Sequence, residues 1–368
     1  MVMGSNTDDK INVFLGLFMI MSAAGIVSHV IVIPAILDKA GRDAWISVLL
    51  IAFLFLGWIF IVYCIQRKTK QQHLFLWMKE KGNKLLAYFF GALVALFLLA
   101  ASTVSFIDTV SWASTTYLPR TPPLVLSFSL AVICLLPALN GIRSISVING
   151  ILLPAVIIFG FMVAIGNIPH KDYRLLLPLL ENGWFPALKG MLAAGAGIFE
   201  LFLVLLFQHK IAGKFKLRYL FVTGIVLIIL TLGPLMGSIA IFGPEEASKQ
   251  RFPAYEQWAM LSLGRYLEHL DFISIYQWMV GIFIRISLSI YLIPEVFNFK
   301  GKKRVTIQII IGLFLSVTVL FNPVGDLVFL TFVKNYFLPI STLFIFFYTL
   351  TLCLYVLFKS KKKGIRTQ

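Results

Sequence analysis

The chain has 368 residues, of which 59% are hydrophobic and only 13% are charged, and its formal net charge is +16. A soluble domain is about one quarter charged, so this composition excludes an ordinary soluble protein and predicts an integral membrane protein. The basic residues cluster beside apolar runs, which is typical of topology signals and contact with the lipid bilayer and not of nucleic-acid binding. The three cysteines show no metal-ligand spacing and no disulfide framework.

Ten apolar runs are long enough to cross a bilayer, which takes about 20 residues per helix. The loops between them are too short for a separate soluble domain. We therefore predict an all-α integral membrane fold, with a single transmembrane domain over residues 1–368. The predicted spans cover residues 12–37, 44–65, 85–108, 122–140, 146–166, 187–208, 217–242, 271–295, 305–321 and 336–358.

The distribution of lysine and arginine predicts the orientation of these helices. With the N-terminus inside, the cytoplasmic segments carry about twice as many basic residues as the external segments. Both termini are thus predicted to be cytoplasmic, in a multi-pass protein. Five helices per half force the second half to enter from the opposite side, which predicts a 5+5 inverted repeat with halves at about 11–166 and 187–345.

Small residues interrupt the first and the sixth apolar runs. The first contains Ser22–Gly25, and the sixth contains Gly195–Gly197, followed by Glu200. Because non-helical backbone survives at membrane depth only where it is buried in protein or lines a cavity, we predict discontinuous helices 1 and 6 around a central site. Free N–H groups of helix 1 suit a carboxylate, and Glu200 with freed carbonyls suits an ammonium, so an amino acid matches both. The predicted ligand-binding residues are Ala24, Gly25, Ile26, Ser28, His29, Gly195, Gly197, Ile198, Phe199 and Glu200.

Charged side chains within the apolar runs are further candidates, because a charge at mid-membrane costs at least about 2.5–3.5 kcal/mol. Glu200 either meets a ligand or ties helix 6 to a neighbour. Arg285 needs a carboxylate, carbonyls or water, and the sequence leaves Glu200 and Asp108 open as its partner. Asp108 could also be solvated or cap a helix, and His29 either lines the site or packs as a neutral histidine.

Catalysis is not expected, because the five histidines are scattered and no nucleophile elbow, phosphate-binding loop or metal motif occurs. We predict a protein that is not an enzyme, with no catalytic residue, no metal site and no cofactor.

Several stretches of the sequence resemble the spore germination permease family, and together they extend over almost the whole chain, from about residue 11 to 358. Members of the wider superfamily usually have a Gly-x-Gly-like signature shortly before the Pro34 position. The corresponding stretch here is Val27–His29, and Gly25 lies slightly upstream. The similar stretches are His29–Pro34, Ala40–Ser47, Pro119–Pro122, Leu177–Trp184, Gly197–Glu200, and His269–Trp278 with Arg285 following.

Members of this family are the B subunits of GerA-type nutrient germinant receptors, within the amino acid–polyamine–organocation superfamily. The resemblance implies a LeuT-like fold in the inner membrane of an endospore, beside A- and C-type receptor subunits. It also implies that a small nutrient, with an amino acid as the leading expectation, binds at helices 1 and 6 and triggers germination. Two alternatives remain open at this point: a proton-coupled amino acid transporter of the same fold, and a structural subunit with a vestigial pocket.

Overall fold

The computed structural model describes residues 10–261, 270–321 and 326–361. Nearly all of the described chain is helical. The α-helices are α1 (Val13–Ile26), α2 (Ile33–Ala40), α3 (Ala44–Thr69), α4 (Leu74–Lys81), α5 (Lys84–Thr116), α6 (Pro123–Asn140), α7 (Ile142–Gly166), α8 (Trp184–Ile198), α9 (Val204–Phe207), α10 (Leu217–Lys249), α11 (Pro253–Ala259), α12 (Phe272–Val296), α13 (Gly301–Thr318), α14 (Asp326–Phe332) and α15 (Leu338–Lys361).

Shorter elements connect or continue these helices. Two parallel strands, β1 (Ile11–Asn12) and β2 (Ile211–Ala212), pair with each other. The π-helical segments are Val27–Ile31 and Val333–Phe337, and the 3₁₀ segments are Gly41–Asp43, Ile168–His170, Tyr173–Leu176, Phe199–Leu203, Gln208–Lys210 and Val319–Phe321.

The all-α membrane fold predicted from the sequence is confirmed. Among the described residues, eight helical stretches are long and apolar enough to cross a membrane. The first of them, Val13–Thr69, holds two predicted spans, which a tight turn at Gly41–Asp43 separates. Gly41 has φ +51°, a conformation that glycine adopts without strain. The ninth predicted span corresponds to α13, which is not among the eight and has three basic residues near its start.

Helix 1, the first predicted span, consists of α1, a π-helical segment and α2. It changes its helical type at the predicted place, but its main chain stays helical. α1 passes into the π-helical segment Val27–Ile31, and α2 begins two residues later. Pro34 has no N–H to offer the preceding turn, which explains why the regular α ladder fails here. The main-chain N–H of Val32 donates to the carbonyl of Val27 at 3.0 Å, and the carbonyl of Val32 accepts from Ile36 at 3.0 Å. These two bonds span the change of helical type, so Val32 keeps its main-chain hydrogen bonds, and binding of a ligand by N–H groups of helix 1 stays a prediction.

Helix 6 behaves in a similar way. α8 ends at Ile198, immediately after the small residues, and the chain continues as the 3₁₀ segment Phe199–Leu203 and then α9. The N–H of Phe199 donates back to the carbonyls of Gly195 and Gly197. The sequence thus predicted the position of the irregularity correctly, while the extent of unwinding was overestimated.

Two of the membrane helices form the interior of the bundle. α8 packs against α2, α3 and α15, and α12 packs against α1, α5, α6 and α7. In the most apolar stretch of the α8–α9 span, 89% of the residues are buried within the protein, and in that of α12 the share is 83%. In that of α7 it is only 17%. Residues on α12 and around α8 are therefore shielded from lipid, and α7 faces outward.

One end of the bundle is rich in basic residues and is called the basic end here. It collects β1, the α3–α4 and α12–α13 connections, β2 and the last turns of α15. The pairing of β1 with β2 ties the start of helix 1 to the end of helix 6. At the opposite end, α10 bends at Gly243, which has φ +77° and precedes Pro244, and the chain then turns into α11. The sequence pattern predicts a helix over residues 255–270; the described helix is α11, and residues 262–269 lie outside the described residues.

Candidate functional site

A buried ion pair stands at the point where helix 6 changes its type. Glu200 is the second residue of the 3₁₀ segment, and Arg285 lies in the middle of α12; they are 3% and 5% exposed. Nη2 of Arg285 donates to Oε1 of Glu200 at 2.7 Å, and Nη1 contacts Oε2. This two-pronged geometry is the strongest arrangement of a guanidinium with a carboxylate. We call Glu200 and Arg285 the central ion pair.

The remaining donors of Arg285 join two further helices to this pair. Nε donates to the hydroxyl of Ser105 on α5 at 2.8 Å, and Nη1 also donates to the carbonyl of Ala23 on α1 at 3.1 Å. The structure therefore selects Glu200, and not Asp108, as the partner of Arg285. Both oxygens of Glu200 already accept hydrogen bonds from Arg285, so an ammonium bound there would share the carboxylate with the guanidinium.

The glycines predicted to line the site are instead points of close helix packing. A Cβ on Gly197 would lie 2.8 Å from the main-chain nitrogen of Ser28, so α8 touches the π-helical segment of helix 1 directly. A Cβ on Gly195 would lie 2.9 Å from the hydroxyl of Thr342 on α15, and one on Gly25 would lie 3.4 Å from Leu230. These glycines bring helices together and leave no open space beside them.

The other predicted ligand residues are also packed against protein. Phe199 meets Trp58 edge to face, with ring centroids 4.8 Å apart. His29 is half-buried, with Nδ1 3.3 Å from the carbonyl of Leu230 on α10. Ala24, Ile26, Ser28 and Ile198 are buried. Of the residues predicted to bind ligand, Glu200 alone lines one of the two cavities described next, and the ligand role of the whole set stays a prediction.

Two small cavities lie along one face of α5. The lower cavity, nearer the basic end, is lined by the central ion pair together with Phe97 and Ala101. The upper cavity is lined by Val104 and Asp108 of the same helix. Ala101 and Val104 are separated by about 5 Å along the helix axis, and Ser105, which holds the arginine of the pair, lies at this boundary. The lower cavity has room for about one water molecule, and the upper cavity for about one or two.

A second group of charges closes the upper cavity. Arg251, from the segment between α10 and α11, reaches Asp108 with Nη2 3.5 Å from Oδ1, and the same nitrogen lies 3.4 Å from the hydroxyl of Ser111. Nη1 of Arg251 contacts the carboxylate of Asp326, the first residue of α14. Asp108 is thus neither solvated nor a helix cap, because it faces an arginine inside the protein. Arg251 was not anticipated from the sequence.

Comparison with known proteins identifies the family. A family model described as spore germination protein matches residues 10–324. This chain belongs to that family. Spore germination protein XB of Bacillus anthracis is 40% identical over 353 residues, which cover 96% of this chain and 99% of the relative. Spore germination protein A2 of Bacillus subtilis (strain 168) is 23% identical over 320 residues, covering 83% and 84% of the two chains.

Solved structures support the fold of this spore germination protein. A crystal structure of the Eremococcus coleocola manganese transporter, in complex with an aromatic bis-isothiourea substituted compound, superposes with a TM-score of 0.56. The match covers 93% of this chain and 80% of the transporter, at 13% sequence identity. At this identity the likeness establishes the transporter-like fold and nothing about the cargo.

A third group of polar side chains lies at the basic end, and we call it the Glu295 cluster. Nε2 of His209 lies 3.0 Å from Oε1 of Glu295, and Nε2 of His73 lies 2.8 Å from the carbonyl of the same residue. Lys210 and Arg304 flank the carboxylate at 3.5 and 3.6 Å. Burial lowers the pKa of His73 to about 4, with a further contribution from the neighbouring His209. The cluster ties the ends of helix 6 and α12 to the starts of α4 and α13.

The histidines and the carboxylate of this cluster are ligand types that zinc accepts, and their ligand atoms lie within 4.8 Å of one another. Two observations argue against metal binding. Lys210 and Arg304 already compensate the charge of Glu295, and both ring nitrogens of His73 are engaged, because Nδ1 accepts from the N–H of Leu76 at 3.4 Å. The cluster is therefore better explained as a set of polar contacts that holds helix ends together than as a metal centre.

The sequence reasoning missed the residues that converge only in three dimensions. Arg251 and His73 lie in loops, where a single charged or aromatic side chain is ordinary. Ser105 is a small hydroxyl within an apolar helix, and nothing local distinguishes it. Glu295, the next-to-last residue of α12, carried the one usable signal, a carboxylate inside a long apolar run.

Proposed function

We propose that this chain is the membrane subunit of a nutrient germinant receptor in the spore inner membrane. It binds a small nutrient, an amino acid in the first instance, where helices 1 and 6 meet, and it works with A- and C-type subunits to start germination. Membership of the spore germination family and the transporter-like fold support this proposal. The chain acts by changing conformation and catalyses no reaction.

The central ion pair is the observation that carries the proposal. Its guanidinium joins α1, α5, helix 6 and α12 through four hydrogen bonds, deep within the bundle. A buried pair resists rearrangement, because separating the two charges leaves each without compensation. A nutrient that moves helix 6 relative to helix 1 must therefore exchange one defined set of contacts for another. Such an exchange separates two states, and a nutrient that binds one state more tightly shifts the balance between them.

The size of the cavities supports a sensing mechanism of this kind. Neither cavity holds more than about two water molecules, so an amino acid enters only if the helices move apart. Nutrient binding and helix movement are then the same event.

A proton-coupled amino acid transporter is the second candidate. The likeness to the manganese transporter favours it, since that fold is used for transport. A carboxylate in the central ion pair could accept a proton when the pair opens, which would give the coupling. This candidate differs from the first in requiring release of the nutrient on the far side of the membrane.

The decisive experiment combines binding with germination. The purified full-length chain in lipid nanodiscs is screened by thermal shift against amino acids, nucleosides and sugars. Spores that lack the gene are complemented with the chain and exposed to each compound that raises the melting temperature. We expect at least one compound to stabilise the protein and to trigger germination only in complemented spores. Germination that is unchanged by loss of the gene, with no stabilising compound, would contradict the proposal. Uptake of a labelled amino acid against its gradient in proteoliposomes would favour the transporter.

A further inference from the structure

The upper cavity has the composition of a recognition site for a zwitterion. Its walls are mostly apolar, and they come from six elements: the π-helical segment of helix 1, α2, α5, the segment before α11, α14, and the π-helical segment Val333–Phe337. Three ionisable side chains interrupt these walls, namely Asp108, Arg251 and Lys334. Lys334 is held toward Asp38, with 3.9 Å between Nζ and Oδ1, which leaves Asp108 and Arg251 facing each other.

Asp108 and Arg251 are coupled loosely, in contrast with the central ion pair below them. Their closest hydrogen bond is 3.5 Å long, and the arginine's contact with Ser111 is 3.4 Å, whereas Arg285 and Glu200 approach to 2.7 Å. Charge-assisted hydrogen bonds between such groups are normally about 2.7–2.9 Å. The buried carboxylate of Asp108, which is 6% exposed, therefore has hydrogen-bonding capacity that the described residues do not use.

Arg251 has unused capacity as well. Its Nε is buried and has no hydrogen-bond partner among the described residues. Nη1 is held by Asp326, while Nη2 makes only the two long contacts. Burial lowers the pKa of Arg251, and the carboxylate of Asp108 opposes that shift. Adjacent Nε and Nη2 donors form the edge of a guanidinium that receives a carboxylate in the two-pronged manner.

We propose that the upper cavity is the recognition site for the nutrient, and that it takes an α-amino acid with an apolar side chain. The carboxylate binds the Nε and Nη2 edge of Arg251, and the ammonium binds Asp108. Once the helices have moved apart to admit it, the side chain lies against Val30, Ile31 and Phe329. This inference rests on the proposed function and moves the point of recognition away from the glycines of helices 1 and 6, toward the end opposite the basic end. The central ion pair then lies beneath the ligand and responds to it.

The test determines which residue binds the carboxylate of the ligand and which residue binds its ammonium group. Full-length protein in nanodiscs is titrated with L-valine and L-leucine, with their amides, which lack the carboxylate, and with their N-acetyl derivatives, which lack the ammonium. Glycine, which has no side chain, tests how much the apolar wall contributes to binding. For the wild type we expect binding of the two free amino acids and about 10- to 100-fold weaker binding of both derivatives, the range expected for losing one charged hydrogen-bonded contact. Glycine is expected to bind more weakly than L-valine.

Matched variants assign each contact. Arg251→Gln is expected to abolish the preference for the free amino acid over its amide, and Asp108→Asn the preference over the N-acetyl derivative. Arg251→Lys, which keeps the charge without the two-pronged edge, is expected to retain only part of the preference. Lys249→Gln is the control, because Lys249 is exposed, pairs with Glu246 and lies two residues from Arg251.

The outcomes separate this inference from the proposed function. Binding of an amino acid with unchanged preferences in Arg251→Lys, Arg251→Gln and Asp108→Asn would overturn the assignment of the upper cavity and leave the receptor role intact. The same conclusion follows if the wild type binds a nucleoside or a sugar and no amino acid. If no nutrient binds and germination does not depend on the gene, the proposed function fails, and this inference fails with it.

Discussion

The central ion pair places two opposite charges where neither would be stable alone. Arg285 uses Nε and both terminal nitrogens in hydrogen bonds to the carboxylate of Glu200, the hydroxyl of Ser105 and the carbonyl of Ala23. Removing one charge from such a pair orphans the other, and the cost of an uncompensated buried charge is about 3–5 kcal/mol. The stability of the bundle therefore depends on these two residues, and the conformational change that we propose would depend on them as well.

We predict that Glu200→Gln and Arg285→Gln each lower the melting temperature and the amount of protein in the membrane. The double variant should be more stable than the sum of the two single effects predicts, because two neutral amides replace two charges. A double-mutant cycle on purified protein gives the coupling energy, which we expect to exceed about 1 kcal/mol. Lys189→Gln on the exposed side of α8 serves as control. Additive effects of the two changes would show that the pair is not coupled.

The sequence identified both members of this pair, because a charge inside an apolar run stands out. It could not decide between Glu200 and Asp108 as the partner, since residues 85 positions apart carry no distance information in a single chain. Glycine was the weaker guide. Gly195 and Gly197 fit a cavity and a close helix contact equally well, and the structure has the contact.

At the scale of the elements, helices 1 and 6 keep their main chain hydrogen-bonded while changing their helical type. The position of each change follows from local chemistry, from Pro34 in helix 1 and from the small residues that precede Phe199 in helix 6. Whether the helix opens or becomes π or 3₁₀ depends on the packing around it, here the contact of Gly197 with Ser28. A single sequence does not contain that packing.

The Glu295 cluster joins the ends of helix 6 and α12 to α4 and α13 at the basic end, and His73 makes this contact dependent on pH. His73 is the N-cap of α4, and its ring lies against His209 with 4.5 Å between centroids. Burial holds the pKa of His73 at about 4, well below its ordinary value of 6.5. Between these two values the unfolded chain binds a proton at this position and the folded chain does not. Stability therefore falls as the pH is lowered from 6.5 toward 4.

We predict that His73→Asn weakens this pH dependence. Asparagine is a favourable N-cap and keeps a side-chain donor near the carbonyl of Glu295, so the fold should be retained. In the wild type, the pKa of His73 lies about 2.5 below its ordinary value. Between pH 6.5 and pH 4, His73 therefore lowers the free energy of unfolding by at most about 3 kcal/mol. Melting temperatures recorded across this range should fall less steeply in the variant. His170→Asn, at an exposed position in the 3₁₀ segment Ile168–His170, is the control. Identical slopes for wild type and His73→Asn would contradict the assignment.

At the scale of the whole molecule, three polar groups succeed one another along the bundle: the Glu295 cluster at the basic end, the central ion pair, and the charges around Arg251 at the opposite end. Each group bridges elements that are far apart in the sequence, and the two small cavities lie close to the central group.

The ten predicted spans match helices of the structure, because the length and hydrophobicity of each run follow directly from the sequence. The inverted repeat remains a prediction, since the two halves share no readable sequence identity.

The orientation of the bundle gives the last prediction: the basic end faces the cytoplasm. Lysine and arginine are retained on the cytoplasmic side during membrane insertion, and here they concentrate in the loops that meet at this end. In a chain whose three native cysteines are replaced, Arg120→Cys and Lys302→Cys mark the two ends with exposed positions. A membrane-impermeant maleimide should label Arg120→Cys in intact cells and Lys302→Cys only after permeabilisation. The reverse pattern would invert the orientation, and it would then put the upper cavity, with Asp108 and Arg251, on the cytoplasmic side, where a nutrient arriving from outside could not reach it first.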